Sequence, residues 1–277
     1  MGVMASQRPL VIFLGLVLSA GGAAADEGAA GEEARAIFAS SGVQGGLVVH
    51  LGCGTGELTA ALARDGRNVV HGLSADADQV AAARAHIRGR GWYGPVSVTQ
   101  WEGASLPYVD HLVNLLVVED PGRTDEDEWL RVLAPGGVAY VKRGAAGRTL
   151  VKSARPGADE WTHYLYDAGG NSVSRDSLVG PPRHLHWTAG PAHTRSHEYT
   201  SSIAAIVSSG GRVFYLADEA STENLQAAAD WQVVARDAHN GVVLWKRPID
   251  PWYTHLAGWT AASTCTGWTR GPATPCP

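Results

Sequence analysis

Residues 47–63, LVVHLGCGTGELTAALA, decide the fold of the first half of the chain. The apolar run at its start is typical of a buried strand. A glycine-dense turn follows, and the next apolar residues recur at helical spacing. Glycines allow the backbone to approach a ligand closely, and the first turn of a helix offers free N–H groups. The stretch therefore predicts a nucleotide-type binding corner, with its glycines at Gly52, Gly54 and Gly56.

The spacing of these glycines distinguishes two classes of ligand. Dinucleotide-binding loops place a third glycine three residues after the second, and here that position is Glu57. The form Gly-x-Gly-x-Gly instead resembles motif I of class I S-adenosylmethionine-dependent methyltransferases. The resemblance extends over residues 34–143, and RVLAPGG at 131–137 is similar to the segment that precedes the fifth strand of that family.

The resemblance implies S-adenosylmethionine as cofactor and a methyl acceptor that the sequence does not identify. It also implies which residues would contact the cofactor. These are His50, Gly52, Cys53, Gly54, Gly56, Ser74, Asp76 and Glu102.

Two positions that are acidic in the family are not acidic here. They are His50, before the first glycine, and Ser74, where a carboxylate would bind the ribose hydroxyls. Losing a charge-assisted hydrogen bond costs about 1–3 kcal/mol, so we expect weakened activity. Asp76, which follows Ser74 by two residues, either replaces the ribose acid or only caps the next helix. Glu102 is either near the adenine or a solvated loop acid.

The candidate catalytic bases are Glu119 and Asp120. They directly follow the fourth predicted strand, and ligands of open α/β sheets bind beyond the carboxyl ends of the strands. The alternative is an acidic loop that only faces water.

Strands and helices alternate through the first half of the chain. This alternation predicts an α/β fold, a Rossmann-like doubly wound parallel sheet of the methyltransferase type. The predicted strands are 47–51, 68–73, 96–101, 111–118 and 138–142, and the predicted helices include 32–40, 76–88 and 124–133.

From about residue 144 the helical pattern stops, and four strand candidates follow at 202–208, 212–217, 231–237 and 242–249. Asn240-Gly241 is a strong hairpin signal. VVARDAHNGVVLWKRPI, at 233–249, resembles the repeat of pyrroloquinoline-quinone (PQQ)-type β-propellers, and the alternative is an unrelated hairpin. The matching residues are Asp237, Ala238, Gly241, Leu244 and Trp245.

The resemblance implies one β-propeller blade, and one blade does not close a propeller. PQQ binding is therefore not supported by this segment. We expect the chain to be a fragment or frameshifted end of a longer propeller protein.

The N-terminus predicts export. Arg8 precedes the apolar run 10–20, and three alanines at 23–25 form a small-residue cleavage site. The alternative is a mis-assigned start codon and a cytoplasmic protein. The predicted organisation is a signal peptide at 1–25, a spacer at 26–31, a methyltransferase-like domain at 32–150, a partial propeller segment at 151–255 and a disordered tail at 256–277.

Composition limits the possible partners. The net charge is −5 with 18% charged residues, which does not indicate nucleic acid as a partner. No spacing predicts a metal site, and no membrane span is expected after cleavage of the signal. A Cys265–Cys276 disulfide is one pairing that the three cysteines allow.

The sequence is consistent with two alternative functions. The first is a methyltransferase acting on an unknown acceptor. The second is an exported, non-enzymatic binding protein in which a degenerate methyltransferase-like domain is joined to a propeller that binds a protein partner. Export favours the second, since S-adenosylmethionine is a cytosolic metabolite, whereas the glycine motif favours ligand binding.

Overall fold

The computed structural model describes residues 20–63, 66–144, 146–181, 185–190, 203–223 and 228–249. Two sheets form within these ranges. The first half contains α1 (Ala20–Ser41), β1 (Gly46–Leu51), α2 (Glu57–Ala61), β2 (Asn68–Ser74), α3 (Ala77–Gly89), β3 (Val96–Gln100), β4 (Val113–Val118), α4 (Glu126–Val132), β5 (Leu133–Arg143) and β6 (Ala146–Val151). The second half contains β7 (Ile203–Ser209), β8 (Arg212–Asp218), β9 (Trp231–Asp237) and β10 (Val243–Pro248).

The first sheet has the order β3-β2-β1-β4-β5-β6. The five strands from β3 to β5 are parallel and β6 is antiparallel to β5. Helices α1, α2 and α3 cover one face, where Ile37 packs with Val48 and Leu115. Helix α4 covers part of the other face through Trp129 and Val132. The predicted α/β fold is therefore present, with a mixed sheet.

The antiparallel strand β6 was not predicted. Its residues, AGRTLV, begin just after the helical pattern ends, and they pair along the outer edge of β5 from Arg143↔Ala146 to Val138↔Val151. The short strand has only a weak apolar pattern because it lies at a sheet edge, and Val151 is exposed. A hairpin at this position turns the predicted parallel sheet into a mixed one.

Helix α1 is longer than predicted, and the predicted spacer at 26–31 is part of it. Gly28 and Gly31 suggested flexibility, but α1 as a whole is rich in alanine, the residue with the highest helix propensity. Ala30 and Ala34 are buried, so tertiary packing also holds this part of the helix in place.

The second sheet is an antiparallel meander of order β10-β9-β8-β7. Its four strands lie within a residue or two of the predicted bounds, and its small core contains Tyr215, Ala217 and Val234. That this sheet is a propeller blade remains a prediction. The predicted tail, the Cys265–Cys276 pairing and most of the signal peptide lie outside the described residues. In the ranges given above, no helix is long and apolar enough to span a membrane.

The two sheets are joined by a polar contact centred on Asn114 of β4. The Nδ2 of Asn114 donates to the Oδ2 of Asp237 at 2.7 Å, and the Oδ1 of Asn114 accepts from the N–H of Leu47 at 2.8 Å and the Nδ2 of Asn240 at 2.6 Å. Asn240 also donates to the carbonyl of Leu112. The β9–β10 turn therefore closes against the amino-terminal edge of the first sheet.

Replacing Asn114 should destabilise the whole chain. Asn114→Ala removes a donor from the buried carboxylate of Asp237 and leaves the N–H of Leu47 without its acceptor, which should cost about 2–4 kcal/mol of the free energy of unfolding. Urea denaturation of the full chain measures the change. Asn171→Ala, at an exposed position, is the control. Equal stability of the two variants would contradict the role given to Asn114.

Candidate functional site

An open cavity of about 710 Å³ lies at the carboxyl ends of β1, β2 and β4. The chain runs outward from β1 to β3 and then crosses back to β4, so the cavity occupies the point where strand order reverses. Ligands of open α/β sheets bind at this point. The lining residues include Gly52, Gly54, Ser74, Gln79, Trp101, Glu102, Glu119, Asp120 and Arg123.

Gly52 forms the floor of the cavity. Its N–H donates to the carbonyl of Leu73 at 2.8 Å, and its φ of 82° lies in the left-handed region. A Cβ at this position would lie 2.6 Å from the backbone nitrogen of Asp120. Only glycine allows the end of β1 to pass this close to the end of β4.

Gly56 and Cys53 have packing roles and do not line the cavity. Gly56 is the N-cap of α2 with a φ of 93°, and a Cβ there would lie 2.8 Å from the Cβ of Ala83 on α3. Cys53 is buried, and burial raises the pKa of its thiol to about 11, so the thiol stays protonated. The neighbouring Gly54 does line the cavity, and its contact with a cofactor stays a prediction.

Ser74 and Asp76, the two residues considered for binding the ribose hydroxyls, have different surroundings at the end of β2. Ser74 lines the cavity, where its Oγ donates to the Oε1 of Gln79 at 2.9 Å and accepts from the N–H of Asp76. The Oδ1 of Asp76 accepts from the N–H groups of Asp78 and Gln79, which makes Asp76 the N-cap of α3. Asp76 is not among the cavity residues, so the capping alternative describes its observed contacts.

Glu102 and Asp120 are exposed at the rim of the cavity. Glu102 follows β3, in the loop whose first residue, Trp101, donates its backbone N–H to the carbonyl of Ser74. The Oδ1 of Asp120 accepts from the N–H of Gly122 at 2.9 Å. The carboxyl ends of three strands thus bring Ser74, Glu102 and Asp120 to one opening.

Glu119 lines the cavity but is held by a lysine. Its Oε1 lies 2.7 Å from the Nζ of Lys142 on β5, and the same ammonium lies 2.6 Å from Glu33 on α1. Burial opposes the charge of Lys142, but its bonds to Glu119 and Glu33 raise its pKa overall. Glu119 therefore belongs to an ion network that ties α1 to the edge of the cavity.

His50 lies behind the cavity, and only 1% of its surface is exposed. Its Nδ1 is 2.8 Å from the Oγ1 of Thr59, and its Nε2 is 3.9 Å from the Oε1 of Glu119 without forming a hydrogen bond. Burial, with a further contribution from Lys142, lowers the pKa of His50 to about 4. The side chain is therefore neutral at pH 7, and it does not line the cavity.

Among the lining residues that were not predicted, three have large polar, charged or aromatic side chains, namely Gln79, Trp101 and Arg123. Trp101 and Arg123 lie just after β3 and β4, so their positions after strand ends were the available signal. Gln79 lies in the first turn of α3, and only its contact with Ser74 shows its role. In the described parts of the chain, no three metal-ligating side chains lie close enough together to hold an ion.

His50 should make stability depend on pH. Its pKa is lowered on folding, so between pH 6.5 and 4 the unfolded chain binds more protons. The stabilisation that comes from keeping His50 neutral is fully present above pH 6.5. As the pH falls toward 4, this stabilisation is lost and the free energy of unfolding decreases by about 3 kcal/mol. Urea midpoints across this range should change less with pH in His50→Gln than in the wild type. His163→Gln, at an exposed position, should keep the wild-type slope. An unchanged slope in His50→Gln would contradict this prediction.

Residues 48–137 match the model of a protein family described as a methyltransferase domain. The match contains the glycine loop and the cavity residues that follow the strands, and it covers less than half of the chain. A search of curated proteins gave no match.

Solved structures resemble parts of the chain. The cyclase SpnF is 29% identical over 42% of this chain and 46% of its own, with a TM-score of 0.37. Geranyl diphosphate C-methyltransferase from Streptomyces coelicolor is 19% identical over 40% and 44%, with a TM-score of 0.35. The YcgJ protein from Bacillus subtilis is 19% identical over 43% and 50%, with a TM-score of 0.33. The chain spans about half the length of each, and the match that bears on its site is the methyltransferase-domain segment.

Proposed function

We propose that this cavity binds S-adenosylmethionine and that the protein is a methyltransferase-like enzyme acting on an acceptor that is not identified. The observation that carries the proposal is the position of Gly52. Its backbone forms the cavity floor at the reversal of strand order, and the close approach to Asp120 excludes a Cβ. The methyltransferase-domain match over residues 48–137 supports this choice of ligand.

The residues at the cavity fit the cofactor in part. A cavity of about 710 Å³ is in the range of about 300–1,000 Å³ typical of small-molecule sites. Gly52 and Gly54 would lie along the cofactor, with Ser74 and Gln79 at its ribose and Glu102 at its adenine. The ribose end differs from the family pattern because a hydroxyl and an amide replace a carboxylate, which offers only neutral hydrogen bonds.

When bound, S-adenosylmethionine supplies a methyl group on a positively charged sulfur. Transfer of this group depends mainly on holding donor and acceptor in line, so few side chains are needed. A base that removes a proton from the acceptor is the remaining requirement. Asp120 is the better candidate, because the carboxylate of Glu119 is already bound to Lys142.

A second candidate function is supported by Ser74. Its hydroxyl is already engaged with Gln79 and Asp76, and the carboxylate of Asp76 caps a helix. A site without a ribose acid favours an exported binding protein that retains the fold but not the activity. Export itself is a proposal that rests on the sequence of residues 1–25.

Calorimetry of the full chain with S-adenosylhomocysteine separates the two functions. The methyltransferase proposal predicts saturable binding, weaker than a carboxylate-bearing site would give by about tenfold to a hundredfold. Ser74→Asp should recover part of this difference, because a carboxylate accepts from both ribose hydroxyls. Ser221→Asp adds the same charge at an exposed position of the second half and should leave affinity unchanged. No binding to either the wild type or Ser74→Asp at millimolar ligand would contradict the proposal.

The floor of the cavity gives an independent prediction. Gly52→Ala places a methyl group 2.6 Å from a backbone nitrogen, so the ends of β1 and β4 must separate. We expect a loss of more than about 1 kcal/mol in stability and at least about tenfold in affinity for S-adenosylhomocysteine.

Gly91→Ala is the matched control. Gly91 also has a positive φ, of 71°, but an added Cβ there meets no atom within 4 Å. It should lose a similar amount of stability from backbone strain alone and keep its affinity. Equal affinities of the two variants, each measured on folded protein, would show that Gly52 does not border the bound ligand.

A further inference from the structure

Glu119 presents a partly bonded carboxylate to the proposed cofactor cavity. It directly follows β4 and lines the cavity, and 29% of its side chain is exposed. Its Oε1 accepts from the Nζ of Lys142 at 2.7 Å, whereas its Oε2 forms no hydrogen bond with any residue that the structure describes. One oxygen of this carboxylate is therefore fixed, and the other is available to a ligand.

The ion network around Glu119 carries an excess of negative charge. Lys142 is paired with two carboxylates, those of Glu119 and Glu33. His50 lies beside this network, and it is neutral at pH 7 because burial lowers its pKa to about 4. Its buried Nε2 lies 3.9 Å from the Oε1 of Glu119 and has no hydrogen-bond partner within the described ranges. Two carboxylates and one ammonium leave one negative charge unbalanced at the cavity wall, and a cation would balance it.

The other charged residues that line the cavity do not supply this cation. Asp120 and Arg123 also follow β4, and their opposite charges balance each other in number. Glu102, after β3, adds a further negative charge. The unbalanced charge at the end of β4 therefore belongs to Glu119 and its network.

The order of the strands determines which part of the cofactor reaches Glu119. In the proposed function the ribose lies at Ser74, after β2, and the adenine lies at Glu102, after β3. The sheet order is β3-β2-β1-β4, and neighbouring strands are about 4.8 Å apart, so β4 ends about 10 Å from the end of β2. The part of the cofactor that extends from the ribose away from the adenine is its amino-acid part, which carries an ammonium group. The sheet thus directs this ammonium group across Gly52 toward the end of β4.

We propose that Glu119 binds the ammonium group of the cofactor's amino-acid part through its Oε2, an inference that rests on the proposed function. Glu119 places a carboxylate beside position 50, where the family that the glycine loop resembles has an acid and this chain has a neutral histidine. Lys142 is a positioning residue, because its bond to Oε1 fixes the orientation of the carboxylate. The site should therefore prefer a ligand that carries the ammonium group to the nucleoside part alone.

Titration calorimetry of the full chain with two ligands tests this preference. S-adenosylhomocysteine carries the amino-acid part, whereas 5′-methylthioadenosine keeps the adenosine and the sulfur but lacks that part. We expect the wild type to bind S-adenosylhomocysteine about tenfold more tightly, because a carboxylate forms a charge-assisted hydrogen bond with an ammonium group. Equal affinities of the wild type for the two ligands would overturn the proposal and leave the proposed function standing.

Glu119→Gln locates the contact. Glutamine has nearly the same shape and can still accept from Lys142, but it lacks the negative charge. The affinity for S-adenosylhomocysteine should fall by about tenfold, whereas the affinity for 5′-methylthioadenosine should stay the same. Glu32→Gln makes the same change at an exposed position of α1 and should leave both affinities unchanged.

The two ligands distinguish the ways in which the proposal can fail. An equal loss of both affinities in Glu119→Gln would show that Glu119 only supports the shape of the cavity. Unchanged affinities in this variant would show that Glu119 does not contact the ligand, and either result overturns the proposal. If the wild type binds neither ligand at millimolar concentration, the proposed function fails and this inference fails with it.

Discussion

The close approach of β1 to β4 at Gly52 is the constraint on which the first half of the molecule depends. The carbonyl of Leu51 accepts from the N–H groups of Glu119 and Asp120, while Gly52 and Cys53 donate to Leu73 on the opposite side. The end of β1 is thereby fixed to both neighbouring strands at once. The cavity exists because these three strand ends meet around a residue without a side chain.

The sequence predicted features that depend on neighbouring residues in the chain. The glycine loop, the strand positions and the N-cap at Asp76 all have local patterns, with the capping alternative now seen in the contacts. It did not predict the Asn114–Asp237 bond, because 123 residues separate the partners and neither side chain is unusual for its segment. The edge strand β6 was missed for a related reason, since its pairing with β5 leaves little apolar pattern.

The two ends of the first sheet have different surroundings. The carboxyl end presents acids, Glu102, Glu119 and Asp120, around a glycine floor. The amino end carries the junction with the second sheet and a second cavity, which is lined by both acidic and basic side chains. In a parallel sheet all strand starts lie at one edge, so the second half can attach there without covering the cavity at the other edge. The direction of the strands therefore places the attachment of the second half and the glycine-floored cavity at opposite edges of the sheet.

The charge network around Glu119 explains how His50 is accommodated where the family has an acid. Lys142 already holds Glu33 and Glu119, and a third carboxylate at position 50 would share this single ammonium in a buried place. A neutral imidazole, whose pKa is about 4, avoids that repulsion and still meets Thr59. The neutral imidazole at position 50 is therefore accommodated within the fold, whereas Ser74 lines the cavity. Under the proposed function, position 74 rather than position 50 is therefore where a carboxylate should strengthen cofactor binding.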